Sequence, residues 1–365
     1  MVDFNRDVHC LMGLPFDAVS LPQAAARLNH AYATGERCFM STPNLNFVIA
    51  SLRNKLFRES VCRSDLSLAD GMPLIWVAKM LGVPVRERVS GSGLFEFLRA
   101  QSPARWRIFF FGGPRGIGQD ACLAVGGEEA AMRPTGYIYP GFGSVEQMSR
   151  PDLIDCINDS RSDMLVVSLG AAKGQEWICR NLDQLNTPVV SHLGAVINFV
   201  AGTVRRAPAW MQRSGLEWLW RIKEEPGLAR RYLDDGLAFM RLIVTQVIPL
   251  ALWQRIAVVP ESEFRRAKVS HPWGIDSSHV VLEGAWRLGN LDPVRREFTR
   301  LLARGQDVTL AMSGTSGIDS AFIGALLLLD QALTSAGKHL RLEALSPGLQ
   351  RMLRLHGVAH LSVGR

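Results

Sequence analysis

Several things are scarce or missing in this 365-residue chain, and each absence narrows what it can be. Its six cysteines, Cys10, Cys38, Cys62, Cys122, Cys156 and Cys179, contain no C-x-x-C pair and have no histidine spacing that suits zinc, so they read as reduced thiols of a cytosolic protein. The N-terminus MVDFNRDVHC has Asp3 and Asp7 where a signal peptide needs a basic stretch followed by an apolar core, so the chain is expected to stay in the cytoplasm. No G-x-G-x-x-G fingerprint, Walker lysine or D-x-D pair occurs, which argues against a dinucleotide enzyme, an NTPase and a metal-dependent sugar transferase of the D-x-D kind. Neither a 20–50-residue repeat nor a low-complexity tract is present, and the chain has no helix-turn-helix or RNA-recognition signature.

What is present is ordinary globular composition, 47% hydrophobic and 21% charged, at a length that predicts about two domains. The formal net charge of +7 suits a phosphate-rich partner. Over the first 200 residues helical patterns alternate with short apolar runs, notably Arg107–Phe111, Met164–Leu169 and Pro188–Leu193, each ending in glycine or a polar turn. That alternation predicts a parallel α/β sheet of the Rossmann-like kind.

From Arg205 to Arg255 the texture turns aromatic and basic, with Trp210, Trp218, Trp220 and Trp253 among nine cations and five acids. Within it, Gly236–Trp253 holds one cation, Arg241, and one proline, Pro249. A helix of that length reaches about 27 Å, just short of a bilayer core, which predicts a helix lying at an interface or packed on protein rather than a span. Val258–Pro272 mixes charge with two prolines and reads as a linker. The expected division is therefore 1–204 for the sheet domain, 205–257 for a helical appendage, 258–273 for the linker, and 274–365 for a small α/β unit that folds alone.

Candidate chemistry sits in turns, three of them where predicted strands end. Thr42-Pro43-Asn44 follows RCFMS and offers a hydroxyl and an amide at the carboxyl edge of a sheet, although both residue types also cap helices. Asp70-Gly71 ends LSLA and places a carboxylate at a turn, where it can act as a base or simply as a cap. Arg88-Val89-Ser90-Gly91 brings a guanidinium and a hydroxyl suited to phosphate. Phe111-Gly112-Gly113 runs from a strand into a glycine turn before a helix, a context in which backbone N–H groups can receive phosphate.

Read in order, LMGLPFDAVSL, STPNLNFV, SDLSLADGMPLIWVAKMLG, RVSGSGLFEFL, IFFFGGPRGIG, LVVSLGAAKGQEWI and AGTVRRAPAWMQRSGLEWLWR closely resemble the WecG/TagA/CpsF glycosyltransferases of bacterial surface polysaccharides. The resemblance implies inverting transfer of an N-acetylmannosamine-type sugar, or its uronic acid, from a UDP donor to an undecaprenyl-diphosphate-linked acceptor at the inner face of the plasma membrane, with no cofactor and no obligatory metal. It casts Asp70 as general base, Thr42 and Asn44 as contacts to the reacting sugars, and Arg88 and Ser90 as diphosphate ligands. Gly112, Gly113 and Gln175 become further substrate contacts, with Arg205, Arg206, Arg213 and Arg221 supplied over the site by the appendage. Two positions depart from the family pattern: the Gln-Glu pair follows Ala172-Lys173-Gly174 instead of Pro-Lys, and Asn198 stands before Phe199 where an aspartate is common.

Residues 278–363, with VTLAMSGTSGIDSAFIGALLLLDQAL, KHLRLEAL and SPGLQRMLRLHGV, resemble a STAS domain, which implies docking of a protein partner. Ala321 occupies the position of that fold's usual phosphoacceptor serine, leaving Ser320 as the nearest substitute. Nucleic acid is not an expected partner. The alternative reading is a family member with weakened catalysis that regulates or scaffolds through its STAS-like unit.

Overall fold

The computed structural model describes residues 2–126, 131–271 and 278–362, apart from the side chains of Ala209 and Arg213. Its strands are β1 (Val8–Leu11), β2 (Leu14–Asp17), β3 (Cys38–Ser41), β4 (Leu66–Ser67), β5 (Trp106–Gly112), β6 (Met132–Ile138), β7 (Met164–Ser168), β8 (Val189–His192), β9 (Lys268–Ser270), β10 (His279–Trp286), β11 (Val308–Ile318) and β12 (Leu340–Glu343). The chain divides into two units. One comprises residues 19–73 and 87–235; the other comprises residues 1–18, 74–86 and 236–365.

The first unit is built on a six-stranded sheet in the order β4-β3-β8-β7-β5-β6, parallel throughout. The apolar strand runs place residues alternately on two buried faces. Ile108, Phe110, Met164, Val166 and Val189 pack into one core; Phe109, Phe111, Leu165, Val167 and Val190 pack into the other. A strand buried on both sides has no polar face, and this is why the sequence shows continuous apolar runs there instead of alternation with polar residues. On one side Trp177 of the helix Ala171–Asn181 stacks on Phe111, ring centroids 4.2 Å apart. The winding reverses at β3, which has β4 on one flank and β8 on the other, so its carboxyl end is the expected place for a ligand crevice.

The second unit holds a four-stranded sheet, β12-β11-β10-β9, with β9 antiparallel and the rest parallel. The helices Asp292–Arg304, Ser320–Ser335 and Pro347–Leu355 complete it. This mixed α/β arrangement matches the small C-terminal fold expected from the sequence.

Two expectations are corrected here. The segment read as a linker is structured over its described residues, 258–271: it forms the helix Glu261–Arg265 and the edge strand β9, which pairs Val269 with Leu282 of β10, while 272 and 273 lie outside the described residues. The residues from 274 onward also do not own their core. The hairpin β1–β2, closed by Met12 and Gly13 at positive φ as a two-residue turn, lies on the helix Ser320–Ser335. Phe4, Val8 and Cys10 belong to the same buried cluster as Phe298, Phe322 and Leu326. Gly324 makes the approach possible, because a Cβ there would sit 2.6 Å from the Val8 carbonyl oxygen. The physical reason for both corrections is the same: a helix with eleven buried residues, ten of them consecutive and therefore on every side, needs more cover than one short sheet provides. Ser320 shares in this packing. Its hydroxyl lies 2.9 Å from Nδ1 of buried His9, whose Nε2 lies 3.0 Å from Asp7, so Ser320 is not offered to a kinase.

His356 is a fully buried imidazole beside the Cys10 backbone. Burial pulls its pKa down from 6.5 to about 4. A group held neutral in the fold stabilises fully above its unfolded pKa, and that contribution is lost as pH falls from 6.5 toward 4, because the unfolded chain takes up the proton first. The loss amounts to about 3 kcal/mol over the window. Urea unfolding at pH 7 and pH 4.5 should therefore show a His356→Leu variant losing less stability with acid than the native chain. Equal acid sensitivity of the two would refute this.

Candidate active site

Three loops meet beyond the carboxyl ends of β3 and β4. Backbone bonds join them: Leu68 N–H donates to Ser41 O, Asp70 N–H to Pro43 O at 2.9 Å, and Val89 N–H to Ala69 O at 3.0 Å. The T-P-N, D-G and R-V-S segments, well separated in sequence, are thereby one structure. Gly91 gives room at their junction, since a Cβ there would overlap the end of the Leu193 side chain and stand 3.3 Å from Thr42 Oγ1.

Within this frame Asp70 and Arg88 pair. Arg88 Nε and Nη2 lie 3.3 and 3.2 Å from Asp70 Oδ1, and Nη2 lies 2.6 Å from Oε2 of Glu217, the first residue of the helix Glu217–Glu224. The side chains of Asp70, Arg88 and Glu217 are 23%, 18% and 19% exposed, so a ligand can reach all three. Burial pushes the Asp70 carboxyl above its ordinary value; Arg88 opposes the rise and the nearby Glu217 carboxylate adds to it. The balance favours proton uptake, which is what a general base needs.

The other sequence candidates divide. Thr42 is buried at the end of β3 beside Gly91. Asn44 caps the helix Leu45–Arg53, its side chain accepting from Phe47 N–H, and Ser90 caps Gly91–Gln101 by accepting from Gly93 N–H. Gly112 and Gly113 have φ of +97° and +81°. Gly113 N–H is already donated to Ser168 O at 2.7 Å, and a Cβ at Gly112 would lie 2.7 Å from the same oxygen, so these glycines serve the close approach of β5 to β7. Gln175 is fully buried and donates to Ser41 Oγ at 2.8 Å, supporting the last residue of β3, next to Thr42. Next to it, Gly174 lacks the Cβ that would overlap the ring of His192; burial lowers the pKa of that histidine, whose Nε2–H donates to Leu169 O.

Arg205 is exposed, and its carbonyl accepts from Trp220 Nε1. Arg206 donates to Ser92 Oγ at 3.0 Å, and the Arg221 guanidinium lies over the Phe199 ring. The Arg213 side chain lies outside the described residues. A cavity of about 350 Å³ opens here, walled by Phe95, Val196, Phe199 and Val200 and bordered by Ser92, Glu96 and Arg206. The Nε atoms of Arg206 and Arg221 and Oδ1 of Asn198 are buried without a hydrogen-bond partner among the described residues. No three His, Cys, Asp or Glu side chains among the described residues stand close enough to hold a metal ion.

Sequence reasoning missed Glu217. It counted only as one of five acids in a basic stretch, and nothing local marks it as the partner of an arginine so far upstream.

A parallel, doubly wound sheet with a carboxylate–arginine pair beyond its carboxyl edge defines a Rossmann-like α/β protein whose chemistry lies in loops. Residues 9–251 match the family model of the glycosyl transferase WecG/TagA/CpsF family, and residues 272–363 match the model of the Mlab, STAS domain. The chain belongs to the WecG/TagA/CpsF glycosyltransferase family and carries a STAS domain at its C-terminal side. It is 26% identical over 197 residues to an N-acetylglucosaminyldiphosphoundecaprenol N-acetyl-beta-D-mannosaminyltransferase of Bacillus spizizenii, covering 54% of this chain and 75% of that one. It is 23% identical over 219 residues to the enzyme of the same name from Staphylococcus aureus strain MRSA252, covering 58% and 82%.

Proposed function

We propose that this protein transfers an N-acetylmannosamine-type sugar from a UDP donor to a sugar carried on undecaprenyl diphosphate, with inversion at the anomeric carbon. The observation that carries the reading is the Asp70–Arg88 pair in three hydrogen-bonded loops at the reversal point of the sheet. Asp70 takes the proton from the acceptor hydroxyl as its oxygen attacks the anomeric carbon. The bond from that carbon to the diphosphate breaks, and UDP leaves with the electron pair. Arg88 holds the charge that develops on the leaving diphosphate. Arg206 and Arg221 offer guanidinium donors beside an apolar cavity wall, which suits the diphosphate and first isoprene of the acceptor. The test is direct: the purified chain, incubated with UDP-N-acetylmannosamine and an N-acetylglucosaminyl diphosphate lipid, should yield the disaccharide lipid by mass spectrometry. No product under conditions that sustain UDP binding would leave the regulatory alternative.

Peripheral attachment to the inner face of the plasma membrane belongs to the same proposal. The helix Pro226–Ile256 is long and apolar enough to cross a membrane by length and composition. One side of it, with Leu242, Val247 and Leu250, is buried, while Leu237, Met240, Val244, Ile248, Leu252 and Ile256 are exposed. On an unbroken α-helix those six would spread over about 160°. The π turn Ile243–Val247 inserts one extra residue and gathers them within about 80°, a stripe about 28 Å long. A single apolar stripe favours lying on a membrane over crossing it. Trp210 and Trp218 are exposed as interfacial anchors would be, whereas Trp253 is covered by the Arg351 guanidinium. Leu237→Glu combined with Val244→Glu should reduce co-sedimentation with anionic vesicles about tenfold or more; unchanged binding would count against attachment through this helix.

A further inference from the structure

We infer that Glu217 is a built-in stand-in for the donor's diphosphate: it pairs with Arg88, must leave it for the donor to bind, and returns to drive UDP off. The inference rests on the reading of Arg88 as the diphosphate ligand. Its basis is the competition for one guanidinium. The shortest contact Arg88 makes is to Glu217, at 2.6 Å, against 3.2 and 3.3 Å to Asp70. With both carboxylates ionised, these three side chains carry one net negative charge around the cation that a diphosphate needs, so the donor is disfavoured unless one carboxylate withdraws.

The two carboxylates differ in how they are held. Asp70 sits in a loop fixed by backbone bonds to Pro43 and from Val89. Glu217 starts an eight-residue helix in which no residue is fully buried and Trp218, Leu219, Lys223 and Glu224 are exposed. Such a segment opens at low free-energy cost, so Glu217 is the group that yields. When UDP has formed, the carboxylate competes with it for Arg88 and shortens its stay. Because Glu217 acts by occupying Arg88 rather than by touching the reacting atoms, it is a positioning residue.

The experiment is UDP binding to the full chain by calorimetry, in a double-mutant cycle of Glu217→Gln and Arg88→Ala. Glu217→Gln should tighten UDP about tenfold and deepen product inhibition by UDP to match, and the gain should vanish in the Arg88→Ala background. Hydrogen exchange provides a second readout on the native protein: saturating UDP should speed exchange in Glu217–Glu224. Unchanged or weaker UDP binding in Glu217→Gln overturns the inference, as does slower exchange in that helix. If Glu217→Gln fails to melt cooperatively, the exchange experiment on the native chain decides. If Arg88→Ala leaves UDP binding at its native level, the diphosphate assignment of Arg88 falls instead.

Discussion

Replacing Asp70 with asparagine should lower sugar transfer 10²–10⁴-fold while UDP still binds, a loss of about 3–5 kcal/mol at the barrier. The amide keeps the size and the hydrogen-bonding reach toward Arg88 but cannot take a proton. The pH profile gives a second check. Because burial raises Asp70 above the ordinary carboxylate value of 3.8, transfer should rise with pH along an acidic limb lying above that value. Below the limb Asp70 is protonated and idle; above it the carboxylate is free to act. The limb should be absent from whatever activity the asparagine variant retains. Turnover of a lipid-linked acceptor across pH, measured beside UDP calorimetry, reads both effects, and native-like turnover in the variant would remove Asp70 from the role of base.

Phe4→Ala should destabilise the unit containing the STAS domain by about 3–5 kcal/mol, as large as a deletion in the middle of a core. Phe4 is buried and meets Phe298 edge to face at 5.6 Å, although hundreds of residues separate them. Chemical unfolding should show the drop, and hydrogen exchange should show faster exchange in Ser320–Ser335. Val258→Ala, at an exposed position in the same unit, should change stability by no more than about 0.5 kcal/mol. If Phe4→Ala behaves like Val258→Ala, the N-terminal hairpin is not part of the C-terminal core. The consequence for truncation is direct: a chain cut to residues 274–365 lacks Phe4, Val8 and Cys10 of its cluster, and it should lose cooperative unfolding.

The sequence by itself determined the parallel α/β sheet, because strands buried on both faces must be apolar throughout and the runs around Phe109, Val166 and Val190 are. It also placed Thr42 and Asp70 just beyond strand ends, since turn residues and glycines break an apolar run at a definite point, and it marked Arg88 in a loop ahead of a helix. The small C-terminal fold was legible for the same reason: its strands and helices carry their periods locally. Only the tertiary structure decided that Glu217 shares Arg88 with Asp70, and that Gln175 points inward to Ser41. It alone decided that the charged stretch after Val258 supplies an edge strand, and that the N-terminal hairpin covers the helix Ser320–Ser335. Local pattern fixes which backbone a segment adopts and which face is apolar. It does not encode which distant segment covers that face, nor which carboxylate a guanidinium finds, because those choices are settled by close packing of surfaces brought together from far along the chain.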